Sequence, residues 1–219
     1  MTRLELVIFD CDGVLVDSET LTNKIFLQQL AEGGLDLSIS EFMNEFVGHT
    51  MAEATRKMYE KYNYRLTEDF FKEFHISSLR LLAQELEPIQ GIHEVINKLK
   101  VPFCMASNSA PDKIEVMLKK TKLWDRFKGN IFSSKLVPNP KPAPDIYLLA
   151  AKSHQIPAQN CLVIEDTSVG VTAAVAAGMT VFGFAAATEP KRLLDAGAKL
   201  IFYKMNELED LIKAHFVDS

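Results

Sequence analysis

With 219 residues, 47% hydrophobic and 24% charged, the chain is long enough for one large core or for a core domain with a smaller insertion, and its composition is neither disordered nor fibrous. A formal net charge of -5 argues against a nucleic-acid surface held by many phosphate contacts, while leaving room for local basic clusters that meet a small anion. Cys11, Cys104 and Cys161 lie in or beside apolar runs, no basic-then-apolar leader is present, and no apolar run nears the roughly 20 residues of a spanning helix, so a soluble cytoplasmic monomer with reduced thiols and no membrane partner is expected.

The first element is an apolar run of strand length, Leu6-Val7-Ile8-Phe9, which ends in Asp10-Cys11-Asp12-Gly13. Ser18 then opens a helix carried by Leu21, Ile25, Leu27 and Leu30 as far as Gly33-Gly34. From there to Glu87 the pattern predicts only helices: a short one opened by Ser40 and ending near Val47-Gly48, one over 51–62 opened by a Thr50/Glu53 capping box, and a longer amphipathic one from Thr67 to Leu86. Pro88 and Gly91 close this helical insert. The alternation that follows is helix 92–99, strand Val101–Ala106, helix 111–120, strand Ile131–Ser133, helix 144–154 and strand Cys161–Ile164. It continues with helix 168–177, strand Thr180–Phe184, helix 189–196, strand Leu200–Phe202 and helix 206–215. Strands alternating with helices predict an α/β fold, a parallel sheet with helices on both faces, built from 1–17 and 87–219 around a helical insertion at 18–86.

Such sheets bind ligands at the carboxyl ends of their strands, and the polar residues that stand out all fall there. Side chains alternate along a strand, so Asp10 and Asp12 point to one side, close enough to share a divalent cation or one reacting group. Like charges that close repel and raise a pKa unless a cation or a proton relieves them, which suggests a metal-assisted nucleophile beside an acid/base. The same string also fits an Asx turn before Gly13. Ser107 and Asn108 fit a helix cap, a role expected of Ser109, which leaves the Ser107 hydroxyl free at the strand end beside a helix N-terminus, a place suited to an anion. Lys141 sits among Pro138, Pro140, Pro142 and Pro144, which limit where its side chain points; held at the sheet edge it would neutralise a nearby anion, and otherwise it is a solvated loop lysine. Glu165 and Asp166 follow a wholly apolar strand, where they either favour a helix N-terminus or complete an oxygen shell suited to Mg²⁺.

Asp10-x-Asp12-Gly13-Val14-Leu15-Val16-Asp17, Ser107-Asn108-Ser109, Lys141-Pro142-Ala143-Pro144-Asp145 and Glu165-Asp166-Thr167 resemble, in order and spacing, the four motifs of the haloacid dehalogenase superfamily. The resemblance implies a Rossmann-like core with a helical cap and a Mg²⁺-dependent phosphatase acting on a small phosphate monoester, such as a sugar phosphate or phosphorylated sugar acid. It makes Asp10 the nucleophile, Asp12 the acid/base, Ser107 and Lys141 the groups on the phosphoryl charge, and Asp10, Asp12, Glu165 and Asp166 the metal set. Asn108, and His49 and Arg56 of the cap, are the remaining candidates for substrate contact. The stretches VIFDCDGV, KPAPDIY and IEDTSVGV are also similar to β-phosphoglucomutases, so a phosphomutase is the alternative; against it, Thr22 stands where those mutases carry a cap His, and Val47-Gly48 and Met51 where they carry Lys-Gly and Arg. A fold-only binding protein is the reading from a different class.

Overall fold

The computed structural model describes residues 2–46 and 51–217. In chain order these form β1 (Thr2–Arg3), β2 (Leu6–Phe9), α1 (Glu19–Glu32), α2 (Ile39–Phe46), α3 (Met51–Tyr62), α4 (Glu68–Glu85), α5 (Ile92–Lys98), β3 (Phe103–Ser107), α6 (Pro111–Lys120), α7 (Trp124–Phe127) and β4 (Ile131–Ser133). There follow α8 (Asp145–Ser153), β5 (Cys161–Glu165), α9 (Ser168–Ala176), β6 (Thr180–Phe184), α10 (Pro190–Asp195), β7 (Leu200–Phe202), α11 (Leu208–His215) and β8 (Phe216–Val217). By contacts the chain divides into two compact units, Met1–Asp17 with Glu87–Ser219, and Ser18–Leu86.

The first unit is a six-stranded parallel sheet in the order β4-β3-β2-β5-β6-β7. Fully buried Leu6, Val7, Ile8 and Phe9 make β2 the centre, with Phe9 in register with Met105 of β3 and Ile164 of β5. Both faces are covered, and the alternation along each strand divides the work. Leu6, Ile8, Cys104, Ala106, Cys161 and Val163 face Tyr147 and Ala150 of α8 and Val171 of α9. On the other side Phe9 and Phe103 both meet Phe127 of α7 edge-on, and Phe182 meets His215 of α11. Because β3 and β5 flank β2 on opposite sides, the carboxyl ends of these three strands bring Asp10, Ser107 and Glu165 to one edge.

Several boundaries moved for local reasons. The second strand of the sheet starts at Phe103 rather than Val101, because Pro102 has no N–H to give the ladder and offers its carbonyl to Val7 instead. Ser38, not Ser40, opens α2: its hydroxyl accepts from the Glu41 amide and the Glu41 carboxylate returns to the Ser38 amide, a reciprocal capping box. Thr67 caps α4 as expected, accepting from the Phe70 amide at 3.2 Å. The short helix α7 and the two-residue parallel pair β1–β8 were not foreseen; each is too short to carry a periodic signal. The Thr50 part of the box at the start of α3 lies outside the described residues. Among the described residues no helix is long and apolar enough to cross a membrane, and the three cysteines are free and buried.

The second unit is helical. Its core gathers Phe26 and Leu30 of α1, Phe42 and Phe46 of α2, Met58 of α3 and Phe70 of α4. Phe26 is the hub, with ring centroids 5.4, 5.1 and 5.3 Å from Phe42, Phe70 and Phe74. Truncation there removes all three ring contacts and leaves a cavity. Phe26→Ala is expected to destabilise this unit by about 3–5 kcal/mol, read by chemical denaturation monitored at the helical signal, with Phe26→Leu losing much less.

Candidate active site

The site begins where β2 ends. The Asp10 amide still bonds the Ile164 carbonyl at 3.0 Å, so the residue is fixed by the ladder, and the chain then folds back tightly, with Gly13 N–H on Val16 O at 2.8 Å and Leu15 N–H on Cys11 O at 2.9 Å. Gly13 has φ +81°, and a Cβ there would stand 1.9 Å from Asp166 Oδ2. The turn therefore admits only glycine, both for its backbone and because Asp166 presses against it.

Lys141 is the centre of the cluster. Buried at 6% exposure, its ammonium donates to Asp10 Oδ1 at 2.6 Å, Glu165 Oε1 at 2.7 Å and the Ala106 carbonyl at 2.9 Å, so all three of its N–H groups are placed. It also lies 4.7 Å from the centre of the Tyr147 ring. The Asn108 amide clasps the Lys141 main chain in both directions, accepting from its N–H at 3.1 Å and donating to its carbonyl at 3.2 Å. These bonds fix the lysine loop and use one Nδ2 N–H and one Oδ1 lone pair of the side chain expected to contact substrate.

Glu165 is wholly buried and equally committed. Oε1 accepts from Lys141 and, at 2.7 Å, from the Tyr147 hydroxyl; Oε2 accepts from the Thr167 amide at 3.2 Å and its hydroxyl at 3.0 Å. Four donors occupy the four acceptor positions of a carboxylate. Thr167 in turn caps α9, accepting from the Gly170 amide at 3.1 Å, and Gly170 leaves the space the carboxylate fills. Asp10, Glu165 and Asp166 each present an oxygen, and the three oxygens lie within 4.8 Å of one another. Hard carboxylate oxygens gathered beside a single lysine fit Mg²⁺. Within that set the oxygens of Glu165 are already spent on the protein, which leaves Asp10 and Asp166 as the carboxylates best suited to a cation.

Burial pushes the Asp10 carboxyl up to about 8 against the pull of Lys141, and Glu165 and Asp12 add to the rise. Burial lowers the Lys141 pKa, but Asp10 and Glu165 outweigh it and hold the ammonium well above its ordinary 10.5. Cys11, between the two aspartates, has its thiol raised well above the ordinary range by burial and is no nucleophile.

Asp12 is held by a group that sequence reasoning missed. Lys113 Nζ reaches Asp12 Oδ1 at 2.8 Å, Ser109 Oγ reaches Oδ2 at 2.7 Å, and Ser107 Oγ stands 3.5 Å from the same oxygen. Ser109 does not cap α6 as expected: Ala110 takes the cap position without a side-chain bond, because the Ser109 hydroxyl turns to a charged acceptor instead. The available signal was Lys113 itself, a cation in the first turn of a helix, where the dipole disfavours it. Of the two cap candidates, Arg56 lies on α3, exposed and 3.8 Å from Glu60, and His49 falls outside the described residues.

A family model for haloacid dehalogenase-like hydrolases matches residues 7–184. The chain is 28% identical over 215 residues to the 6-phosphogluconate phosphatase of Escherichia coli (strain K12), covering 98% of this chain and 97% of that protein. Among solved structures, a haloacid dehalogenase-like protein from Agrobacterium tumefaciens str. C58 superposes with a TM-score of 0.88 at 32% identity, covering 96% of this chain and 98% of that one. A family hydrolase from Deinococcus radiodurans R1 with bound phosphate and sodium gives 0.83 at 28% identity, over 98% and 97% of the two chains.

Two outcomes are expected from this geometry. A Cβ at position 170 would lie 1.8 Å from Glu165 Oε1, so Gly170→Ala must displace the carboxylate that anchors Lys141 and Tyr147. Loss of one partner from a buried charged network costs about 3–5 kcal/mol, a drop that thermal denaturation would register. The second concerns pH. The folded Asp10 carboxyl, at about 8 against an ordinary 3.8, holds a proton that the unfolded chain has released. Its stabilising contribution is fully present below about 3.8 and is lost as pH rises through about 8. In chelator-treated protein, the thermal midpoint of the wild type relative to Asp10→Asn should therefore fall across that window.

Proposed function

This chain belongs to the haloacid dehalogenase-like hydrolases, and we propose that within them it is a Mg²⁺-dependent phosphatase that cleaves a small phosphate monoester, a sugar phosphate or phosphorylated sugar acid, through an aspartyl-phosphate. The observation that carries this reading is the buried Asp10–Lys141 pair at the carboxyl edge of the sheet, 2.6 Å apart, beside the Asp166 carboxylate. The likeness over nearly the full length of both chains to a 6-phosphogluconate phosphatase supports the substrate class.

Asp10 attacks phosphorus, forming an Asp10 O–P bond as the ester P–O bond breaks and Asp12 gives its proton to the leaving oxygen. A water then attacks, Asp12 takes its proton, and the aspartyl O–P bond breaks to release inorganic phosphate and restore the carboxylate. Lys141 and Ser107 donate to the phosphoryl oxygens, and Lys141 favours the ionised form of the nucleophile. The Asp10 and Asp166 carboxylates, with the Asp12 main-chain carbonyl, would hold Mg²⁺, which when bound would neutralise charge on those oxygens. Glu165, saturated by its own donors, acts through Lys141. By the family resemblance the helical unit would act as a cap, with His49 and Arg56 as the candidates for specificity.

A mutase needs a cap acid/base where this chain has Thr22, whose single hydroxyl proton turns back to the main chain, 2.9 Å from the Ser18 carbonyl and 3.1 Å from that of Glu19. Phosphate release over an ester panel with Mg²⁺ and with EDTA tests the assignment. Release from gluconate 6-phosphate or hexose phosphates with Mg²⁺ alone, abolished in Asp10→Asn, is expected. Undiminished turnover in that variant ends the aspartyl-phosphate reading, and primer-dependent interconversion of β-glucose 1-phosphate and glucose 6-phosphate faster than release promotes the mutase.

A further inference from the structure

Lys113 has no place in the chemistry described so far, yet its position is costly. It occupies the first turn of α6, which begins at Pro111, where the helix dipole repels a cation, and its side chain is folded down to 20% exposure. What it reaches is Asp12 Oδ1, at 2.8 Å, with Ser109 Oγ on Oδ2 at 2.7 Å. One donor on each oxygen fixes the plane of the carboxylate as well as its position. These donors are themselves tied. The Ser109 amide donates to Ser107 Oγ at 3.0 Å, its carbonyl accepts from Ser133 Oγ at 2.8 Å, and Lys113 Nζ lies 3.4 Å from Ser109 Oγ. The cradle thus rests on the carboxyl ends of β3 and β4, whereas Lys141 serves Asp10 from the other loop. Each aspartate of the Asp-x-Asp string has a lysine of its own.

We propose that Lys113, with Ser109, is a positioning residue for Asp12, holding its carboxyl in the plane and place from which it serves both proton transfers. The assignment rests on the phosphatase reading above. Its physical content is orientation: a carboxyl on a short, two-torsion side chain at 24% exposure would otherwise sample several rotamers, and proton transfer falls off steeply with misplacement. A structural ion pair would add only stability, and a substrate contact would act on affinity. Positioning alone makes the defect depend on how much the leaving group needs a proton.

The test uses the Mg²⁺-loaded enzyme and a series of monoesters graded by leaving-group basicity, from p-nitrophenyl through phenyl to alkyl phosphates, comparing wild type with Lys113→Met, Lys113→Arg and Ser109→Ala. Methionine keeps much of the stem, and thermal midpoints confirm that each variant is folded. Lys113→Met is expected to lose roughly ten- to hundredfold in kcat on alkyl phosphates, a part of what general acid-base catalysis contributes. The rate dependence on leaving-group pKa should steepen, and Lys113→Arg should restore much of it. With p-nitrophenyl phosphate, whose phenolate leaves unprotonated, the first turnover should persist while attack by water slows, giving a burst near one equivalent of nitrophenolate. An unchanged leaving-group dependence in an active Lys113→Met variant overturns the assignment, as does a rise in KM with kcat unchanged or a gain in kcat. Absence of phosphate release by the wild type on every ester overturns the phosphatase reading and this assignment with it.

Discussion

Placing the Lys141 ammonium out of water beside two carboxylates is the constraint on which the catalytic edge depends. Desolvating each ion costs several kcal/mol, and the mutual attraction repays this only when every remaining donor and acceptor is matched. Here the matching is complete on the cation, with three N–H groups on Asp10, Glu165 and Ala106, and complete on Glu165, with four donors on its two oxygens. Much of the surrounding sequence serves that balance. Tyr147 sends a hydroxyl up from α8, Thr167 turns its cap inward, Gly170 leaves room for the glutamate, and Asn108 fixes the main chain from which the lysine hangs.

The two aspartates meet different surroundings for a reason that follows from the strand. Asp10 is the last residue tied to the ladder and is held against the Lys141 ammonium, which favours its ionised form against the opposing effect of burial. Asp12 lies past that end, a quarter exposed, with a lysine from a helix terminus and a serine hydroxyl on its oxygens. One group is thereby suited to bond to phosphorus and the other to exchange protons, although the residue type is the same.

Much of this was legible in the chain. The alternation of apolar strands and amphipathic helices pointed to a parallel sheet, and two carboxylates at the end of an apolar run pointed to its carboxyl edge, because a buried strand has no structural use for them. Lys141 drew attention through its prolines. What could not be read were partnerships made across the fold: Tyr147 looked like one more apolar residue of a helix, and nothing local told that its hydroxyl would meet Glu165, 18 positions away. Lys113 is 101 residues from Asp12, and Ser109 looked like a cap because the competing acceptor, a carboxylate 97 residues earlier, is invisible to local patterns. Short elements such as α7 escaped for want of a period.

Cys11, lodged between the aspartates, lies just beyond β2, while Cys104 and Cys161 lie within the two strands that pair with it; all three are buried and free. Burial keeps their thiols protonated and sterically shielded. An alkylating reagent therefore meets Cys104 and Cys161 only when the middle of the sheet opens, and Cys11 only when the turn after β2 does. The rate of Cys104 and Cys161 labelling in native conditions thus counts excursions of the central strands.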